Sequence, residues 1–263
     1  MSRLSAGSGK YEGLTDITRR PGRSLARGET KAQLGFPDHS LALRQFTAYT
    51  GALKDCGLEV QVLDALEDFP DAHFVEDTAV VTNEMAVLSR PGAASRRQES
   101  KHMAPELARF RTVIPIENPG TLDGGDVLMV GSHFLVGVSD RTNEQGAGQL
   151  GGILVDHGYT WQPVPVGDGL HLKSSVNHVG GNTLLVTPGF ADCPALGSYE
   201  KIVVPADEEY ACNTLLINDR LIMPEGYPET RKLLEAVGLP VIILDTSEFR
   251  KMDGGLTCLS LRF

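Results

Sequence analysis

The chain has 263 residues, which is enough for one large domain or two small ones. Asp and Glu outnumber Lys and Arg by 34 to 24, and the resulting formal net charge of −10 disfavours a nucleic-acid partner, whose phosphates it would repel. Apolar residues make up 41% of the chain and charged residues 22%, which excludes a disordered polymer and is typical of a globular protein.

Three further features of the sequence concern the compartment. The sequence contains no run of about 18 apolar residues, so we expect no transmembrane helix and no membrane partner. Its start, MSRLSAGSGKYEG, lacks the apolar segment of a secretory signal. The four cysteines are scattered without a CxxC pair, which predicts reduced thiols in a cytoplasmic protein. They are Cys56, Cys193, Cys212 and Cys258.

Three helices are predicted from apolar spacing and terminal residues. The first spans residues 41–56, where apolar side chains recur at helical intervals. The second spans residues 143–157, with Thr142 as its N-cap and Gly158 after its end. The third spans residues 227–237 and precedes a glycine and a proline.

Strands are predicted from short apolar runs rich in β-branched residues. Turn residues separate three pairs of these runs, at residues 83–84, 131–133 and 218–220, and each pair predicts a β-hairpin. The predicted strands span residues 78–82, 85–89, 127–130, 134–138, 183–187, 214–217 and 221–223.

Five further apolar segments resemble one another, and each follows a hairpin or a helix. They are VQVLDA, TVIPIE, QPVPVG, KIVVPADE and PVIILDTSEF. Their spacing of roughly 40 to 55 residues indicates a diverged fivefold repeat of hairpin, helix and strand. Radial packing of such units would protect the sheet edges, although an ordinary α+β or doubly wound domain fits the periodicity equally well. No linker divides the sequence, so we expect a single domain over residues 1–263.

Acidic residues cluster before two of the predicted hairpins. In a radial fold these segments would converge on the axis, so their carboxylates are expected to line one pocket that selects a cation. Turn formation alone would also explain an Asp-Gly-Gly-Asp segment. The five residues are Asp71, Glu76, Asp77, Asp123 and Asp126.

Three other residue types suggest catalysis or binding. His171 is preceded by a glycine-containing segment, and Cys258 follows a Gly-Gly turn. Each could be an ordinary core residue, but a thiol, an imidazole and a carboxylate on separate segments are also what a cysteine nucleophile requires. Arg96 and Arg141 are either solvated surface residues or a forked clamp for a carboxylate.

Seven motifs in order make the chain similar to the dimethylarginine dimethylaminohydrolase family, within the guanidine-modifying superfamily. The similarity extends nearly from end to end and implies a fivefold pseudosymmetric α/β propeller without a cofactor or metal. The motifs are Arg23-Ser-Leu25, Phe74-Val-Glu-Asp77, Arg90-Pro-Gly-Ala-Ala-Ser-Arg-Arg97, Thr121-Leu-Asp-Gly-Gly-Asp126, Arg141-Thr-Asn143, Gly169-Leu-His-Leu-Lys-Ser174 and Asp253-Gly-Gly-Leu-Thr-Cys258.

The resemblance implies a small-molecule substrate and a role for each catalytic residue. Cys258 would attack the guanidinium carbon of an Nω-methylated L-arginine, releasing methylamine or dimethylamine and then L-citrulline. His171 would protonate the leaving amine and deprotonate the water, while Asp123 orients His171. Asp77 and Glu76 would hold the guanidinium nitrogens. A homodimer is compatible with the resemblance.

The amino-acid end of the substrate would be held elsewhere. Arg96 and Arg141 would bind its α-carboxylate, whereas Asp71 and the carbonyl of Met252 would receive its α-ammonium. Family members often close the site with an N-terminal loop that carries a leucine. In this sequence that position falls near Gly28 and Glu29, so Glu29 is expected to cover the site with a charge.

Two alternatives belong to other functional classes. Arginine deiminases share the superfamily, but they usually place a second guanidinium-binding aspartate two residues after the histidine, where this chain has Lys173. A module that binds cationic amino acids without catalysis is the other alternative, and the presence of every predicted catalytic residue disfavours it.

Overall fold

The computed structural model describes residues 15–167 and 171–263. Residues 1–14 lie outside the described residues, and so does the prediction that this segment lacks a secretory signal. Residues 168–170, just before His171, also lie outside the described residues. In the described part of the chain, no helix has both the length and the apolar character needed to cross a membrane.

The described residues form five three-stranded sheets. In each sheet the central strand pairs antiparallel with one neighbour and parallel with the other. The strands are β1 (Thr15–Arg19), β2 (Glu59–Leu63), β3 (Ala79–Val81), β4 (Met85–Leu88), β5 (Thr112–Pro115), β6 (Val127–Val130), β7 (His133–Val138), β8 (Thr160–Pro165), β9 (Val176–Gly180), β10 (Thr183–Val186), β11 (Glu200–Val203), β12 (Leu215–Ile217), β13 (Arg220–Pro224), β14 (Val241–Leu244) and β15 (Ser260–Arg262). Their orders are β15-β1-β2, β3-β4-β5, β6-β7-β8, β9-β10-β11 and β12-β13-β14.

The fivefold repeat predicted from the sequence is confirmed. The five similar segments form β2, β5, β8, β11 and β14, which are the strands that pair in parallel in the five sheets. The first sheet joins both ends of the described chain, because β1 pairs antiparallel with β15 as well as parallel with β2. Because β1 has a partner on both sides, the two ends of the described chain share one sheet, and this pairing closes the α/β propeller.

The three predicted hairpins also occur, with tighter turns in two of them. β7 and β13 each begin one residue earlier than expected, so the second and third turns contain two residues. Gly131 and Asn218 adopt positive φ angles of 61° and 53° in these turns. Glycine and asparagine tolerate this left-handed conformation, which a tight hairpin turn requires.

The helices are α1 (His39–Asp55), α2 (Glu99–Leu107), α3 (Glu144–Asp156), α4 (Pro228–Glu235) and α5 (Ser247–Arg250). The three predicted helices are present, but the expected N-cap of α3 was wrong. Asn143 caps the helix, since its side chain accepts a hydrogen bond from Gly146 N at 2.8 Å. Thr142 is buried, and its hydroxyl instead accepts from the backbone of Asp123.

The fourth sheet departs from the expected repeat of one helix per unit. Between β10 and β11 the chain forms two single-turn 3-10 helices, Pro188–Phe190 and Pro194–Leu196. Each begins with a proline, which lacks an N–H group and cannot continue a preceding helix. The connection therefore turns twice without forming an α-helix.

Buried apolar side chains form several clusters between neighbouring units. In one of them the inner face of α1, including Phe46, Tyr49 and Leu53, packs on the C-terminal segment around Cys258. Tyr49 also donates a hydrogen bond to Leu256 O at 2.8 Å. The long N-terminal helix thus fixes the backbone that presents the C-terminal cysteine.

A short 3-10 segment precedes the first strand of each sheet, and neighbouring segments contact one another in a ring. Asn213 links the last two segments, because it accepts from Thr257 N and donates to Thr257 Oγ1. Residues distant in sequence meet at this ring. The segments are Val75–Thr78, Gly124–Asp126, Leu172–Ser174, Ala206–Cys212 and Thr257–Leu259.

Candidate active site

A cavity adjoins this ring and contains eight of the ten residues predicted for the site. Glu76 and Asp123 are not among its lining residues, whereas Phe74, Asp253 and Gly254 are additional ones. The full lining consists of Glu29, Asp71, Phe74, Asp77, Arg96, Arg141, His171, Met252, Asp253, Gly254 and Cys258.

His171 is held by Asp123, which lies behind the cavity wall. Asp123 Oδ2 is 3.0 Å from His171 Nε2, and its Oδ1 accepts a hydrogen bond from Gly92 N at 2.9 Å. Gly125 packs closely against the ring, since a side chain there would bring its Cβ within 2.8 Å of His171 Nδ1. The imidazole is therefore fixed on two sides.

Neighbouring carboxylates determine the charge of His171. Burial by itself would lower the pKa of the imidazole, but Asp77, Asp123 and Asp126 outweigh burial and raise that pKa to about 9. The charge of Asp77 and the hydrogen bond to Asp123 both contribute to this increase, and Asp77 Oδ1 lies 3.8 Å from His171 Nε2. His171 is consequently an imidazolium at neutral pH and can donate a proton.

Asp77 is a buried but ionised carboxylate on the cavity wall. Its Oδ1 accepts from Gly125 N at 3.0 Å, and its Oδ2 accepts from Arg96 Nη1 at 2.6 Å. Burial opposes ionisation, yet the positive charges of His171 and Arg96 lower the pKa of Asp77 to about 2. A permanent negative charge in this position attracts a cationic ligand.

Arg96 also lines the cavity, but protein acceptors surround its guanidinium. Besides its bond to Asp77, Arg96 donates from Nε and Nη2 to Glu99 Oε2, at 3.0 and 2.8 Å. Its Nη2 also donates to Phe74 O at 3.1 Å. Arg96 therefore holds the carboxylates of Asp77 and Glu99 in place. Its predicted contact with a substrate carboxylate would compete with these hydrogen bonds.

The expectation that five acidic residues line one pocket holds for Asp71 and Asp77 only. Asp123 lies behind His171, as described above. Asp126 binds the protein itself, because its carboxylate accepts from Leu172 N at 2.9 Å and Ser139 Oγ at 2.7 Å. Side-chain direction at the ring, which residue spacing does not specify, separates these carboxylates.

Glu76 faces a different part of the molecule from its neighbour Asp77. Its Oε1 is 2.6 Å from Lys173 Nζ, and both side chains are buried. Glu76, Lys173 and Arg262 line a second cavity, of about 1240 Å³, instead of the first. The predicted contact between Glu76 and a guanidinium would therefore require a carboxylate that already binds Lys173.

Cys258 borders the first cavity with only a small exposed surface. Burial, followed by the negative charges of Glu76 and Asp77, raises the pKa of its thiol to about 12. The thiol is thus protonated at neutral pH when the cavity holds no cation. Positive charge brought in by a ligand would oppose this effect and favour the thiolate.

Residues 28–31 contribute Glu29 to the lining of the cavity. Glu29 donates its backbone N–H to Asp71 Oδ2 at 3.0 Å, and its carboxylate accepts from Ser95 Oγ and from Arg141 Nη2, the latter at 3.2 Å. Lys31 N donates to the carboxylate of Asp253 at 2.5 Å. Glu29, which the sequence predicts to cover the site with a charge, thus lines the cavity.

Three lining residues were not predicted as site residues, although they belong to motifs that the sequence shows. Phe74 precedes the acidic pair, while Asp253 and Gly254 precede the cysteine. A Cβ at Gly254 would overlap the ring of Phe74, so this glycine permits the close approach of the two segments. Phe74 and Gly254 carry no reactive group, and only their mutual packing identifies them as site residues.

One group of potential metal ligands exists among the described residues, and it coincides with the catalytic candidates. Asp77, Asp123 and His171 offer ligand atoms that lie within 4.8 Å of one another. His171 and Asp123 form a hydrogen bond with each other. The two carboxylates also accept hydrogen bonds from backbone N–H groups, and Asp77 accepts one from Arg96. Hydrogen bonds within the protein thus already engage the three side chains of this group.

Comparison with known proteins places these motifs in a family. A family model described as Arginine deiminase matches residues 58–188. An N(G),N(G)-dimethylarginine dimethylaminohydrolase from Pseudomonas aeruginosa is 44% identical over 249 residues, which cover 94% of this chain and 98% of that protein. The chain belongs to the dimethylarginine dimethylaminohydrolase family.

Two solved structures of dimethylarginine dimethylaminohydrolases extend this similarity to the fold. A cysteine-to-serine variant from Pseudomonas aeruginosa in complex with citrulline is 43% identical, with a TM-score of 0.93 over 95% of this chain and 98% of that chain. A histidine-to-glycine variant, present as an adduct with S-methyl-L-thiocitrulline, is 43% identical with a TM-score of 0.93, over 95% of this chain and 99% of that chain. The family and propeller fold predicted from the motifs are thereby confirmed.

Proposed function

We propose that this chain hydrolyses Nω-methylated L-arginine to L-citrulline and methylamine or dimethylamine through a covalent adduct of Cys258. The observation that carries the proposal is the composition of the first cavity. Cys258, the His171 imidazolium and the Asp77 carboxylate border it together with Arg141 and Asp71. A methylarginine carries a guanidinium at one end and an α-amino acid at the other, which match these two sets of charges.

Asp77 positions the reacting end of the substrate. Its ionised carboxylate accepts hydrogen bonds from the guanidinium nitrogens, which aligns the central carbon with the sulfur of Cys258. At the other end Arg141, with Arg96 nearby, binds the α-carboxylate. Asp71 and the Met252 carbonyl receive the α-ammonium.

The first chemical step forms a carbon–sulfur bond and breaks a carbon–nitrogen bond. Arrival of the guanidinium favours loss of the Cys258 proton to solvent, and the thiolate attacks the central carbon. His171 donates its proton to the methylated nitrogen, which leaves as the neutral amine. A thiouronium cation remains on Cys258, and His171 is then neutral.

The second step hydrolyses the adduct. Neutral His171 removes a proton from water, and the oxygen adds to the thiouronium carbon. The carbon–sulfur bond then breaks, the proton left on oxygen passes to sulfur, and citrulline is released. Asp123 acts throughout as a positioning residue, because it keeps the imidazole oriented and favours its charged form. His171 ends the cycle protonated, and the amine takes up the proton that solvent received.

Lys173 distinguishes this proposal from hydrolysis of unmodified arginine. A second carboxylate at this position would bind another guanidinium nitrogen and require it to carry hydrogens. Lys173 instead presents an ammonium that is paired with Glu76 at 2.6 Å. The site consequently lacks that requirement, which suits a nitrogen bearing methyl groups.

The testing experiment compares asymmetric dimethyl-L-arginine, monomethyl-L-arginine and L-arginine, with citrulline formation as the readout. We expect higher kcat/KM for both methylated substrates and a modified Cys258 peptide in samples quenched during turnover. Preference for unmodified arginine would favour the deiminase alternative. Binding of all three without citrulline would favour the module that binds cationic amino acids.

The assembly and location are further parts of the proposal. The five sheets, which surround one ring, are proposed to act as a single catalytic domain. The homodimer and the cytoplasmic location expected from the sequence remain predictions.

A further inference from the structure

Glu29 engages both groups that the proposed function assigns to the α-amino acid end of the substrate. Its backbone N–H donates to Asp71 Oδ2 at 3.0 Å, in the position proposed for the substrate's α-ammonium. Its side-chain carboxylate accepts from Arg141 Nη2 at 3.2 Å, in the position proposed for the substrate's α-carboxylate. One residue of the chain thus presents the same two kinds of group as the substrate.

The rest of residues 28–31 holds Glu29 in this place. Thr30 Oγ1 donates to Lys251 O at 3.0 Å, and Lys31 N donates to Asp253 Oδ2 at 2.5 Å. A side chain at Gly28 would overlap the Asp71 carboxylate, so glycine allows the backbone to approach that group. Ser95 Oγ donates to the Glu29 carboxylate as well.

We propose that Glu29 is a built-in competitor of the substrate, which occupies Arg141 and Asp71 until an α-amino acid replaces it. This inference rests on the proposed function, because that function assigns the two subsites. A carboxylate ligand must displace Glu29 to reach Arg141, and a ligand without this group gains nothing from doing so. Glu29 therefore takes part in selecting the amino-acid end of the substrate.

The ion pair between Glu29 and Arg141 is weak enough for a ligand to displace Glu29. The side chain of Glu29 is 44% exposed and that of Arg141 is 18% exposed, so solvent screens the ion pair. Pairs of this kind contribute little stability, and a ligand with several simultaneous contacts can outcompete them. The apparent affinity of the substrate is then reduced by the fraction of molecules in which Glu29 remains bound.

The first test removes the charge of the Glu29 side chain and keeps its size. In Glu29→Gln the KM for asymmetric dimethyl-L-arginine is expected to fall about fivefold, with a smaller change in kcat. The inhibition constant of L-citrulline should fall by the same factor, because the product retains the α-amino acid group. Inhibition by methylguanidine should change less than about twofold, since this molecule is too short to reach Arg141.

Two further variants supply the control and a second route to the same conclusion. Lys31→Gln alters an 82% exposed side chain of the same segment, and we expect its KM to stay within about twofold of the wild-type value. Ser95→Ala removes the other hydrogen-bond donor to Glu29 and should lower the KM less than Glu29→Gln does. If Glu29→Gln does not fold, Ser95→Ala still tests the competition between Glu29 and the substrate.

Different results would overturn the two proposals. An unchanged KM and citrulline constant in both Glu29→Gln and Ser95→Ala would refute the competition, and so would an equal fall for methylguanidine. A raised KM in Glu29→Gln would instead make Glu29 part of the productive complex. Failure of the wild-type protein to form citrulline would refute the proposed function, while calorimetric titration with citrulline would still test the competition.

Discussion

Asp123 and His171 stand 48 residues apart in the sequence, yet Asp123 Oδ2 lies 3.0 Å from His171 Nε2 and both side chains are buried. Asp123 has no exposed surface, and His171 exposes 5% of its surface. In such an environment an ionic hydrogen bond is stronger than in water and keeps its direction. This pair therefore fixes both the orientation and the charge of the proposed general acid.

Replacing the carboxylate of this pair should impair catalysis more than binding. In Asp123→Asn we expect kcat to fall about 100-fold or more and the KM to change less than about threefold. Loss of the negative charge should also lower the pKa of His171, which an NMR titration measures. Normal kcat together with an unshifted His171 titration would show that Asp123 does not position the acid.

Removal of the thiol should abolish turnover and leave binding intact. In Cys258→Ser we expect kcat to fall at least about 1000-fold, because a serine hydroxyl is a much weaker nucleophile than a thiolate. Calorimetry should still detect the binding of dimethylarginine to this variant. Cys193→Ser, which alters a half-buried thiol outside the cavity lining, is the matched control and should retain activity. Turnover in Cys258→Ser would identify another nucleophile.

Truncation of the imidazole should separate the two chemical steps. In His171→Gly the leaving amine and the attacking water both lose their proton-transfer group. With S-methyl-L-thiocitrulline, whose thiolate leaving group needs less protonation than an amine, we expect the adduct on Cys258 to accumulate. Intact-mass spectrometry measures it, with Cys258→Ser as the negative control. Rapid turnover without an accumulating adduct would contradict the role of His171 in hydrolysis.

The pH dependence of thiol reactivity follows from the raised pKa of Cys258. Below about pH 12 the substrate-free thiol is mostly protonated, so the thiolate fraction grows about tenfold for each pH unit. The rate of Cys258 alkylation by iodoacetamide should therefore still rise between pH 9 and 10, where an ordinary thiol with a pKa near 8.5 levels off. Peptide mass spectrometry distinguishes Cys258 from the other cysteines. A plateau near pH 8 would contradict this expectation.

Asp16 predicts a pH-dependent change in stability away from the active site. Burial raises its pKa from 3.8 to about 7, although Arg262 and Ser260 oppose the change. A raised pKa means that its stabilising contribution is complete below pH 3.8 and is lost as the pH rises through 7. Above pH 7 the folded protein therefore contains a buried charge.

Asp16→Asn should relieve that cost. The free energy of unfolding of Asp16→Asn minus that of wild type is expected to be larger at pH 8 than at pH 5. The difference is about 3 kcal/mol, because two pH units separate pH 5 from the raised pKa of Asp16. Urea denaturation at the two pH values measures this difference. Asp140→Asn, at a side chain that is 91% exposed, should show almost no such dependence. Equal effects of Asp16→Asn at both pH values would refute the raised pKa.

Much of the architecture could be predicted because its causes are local. Short apolar runs and tight turns are encoded within a few positions, so the three hairpins could be predicted, and each of the five parallel outer strands begins within two residues of its predicted segment. Errors occurred where two local signals compete. Thr142 and Asn143 are both good N-caps, and Asn143 is selected because the hydroxyl of Thr142 is required by the Asp123 backbone.

The sequence by itself determined the order of the motifs, the fivefold repeat and the identity of the residues that carry charge or a nucleophile. Only the tertiary structure decided which carboxylates share a cavity. Asp77 and Glu76 are adjacent in the chain, but one borders the cavity beside Cys258 and the other binds Lys173. Contact between Glu29 and Arg141 likewise joins segments 112 residues apart. The direction of a side chain at the ring depends on packing between neighbouring units, and no local pattern encodes that packing.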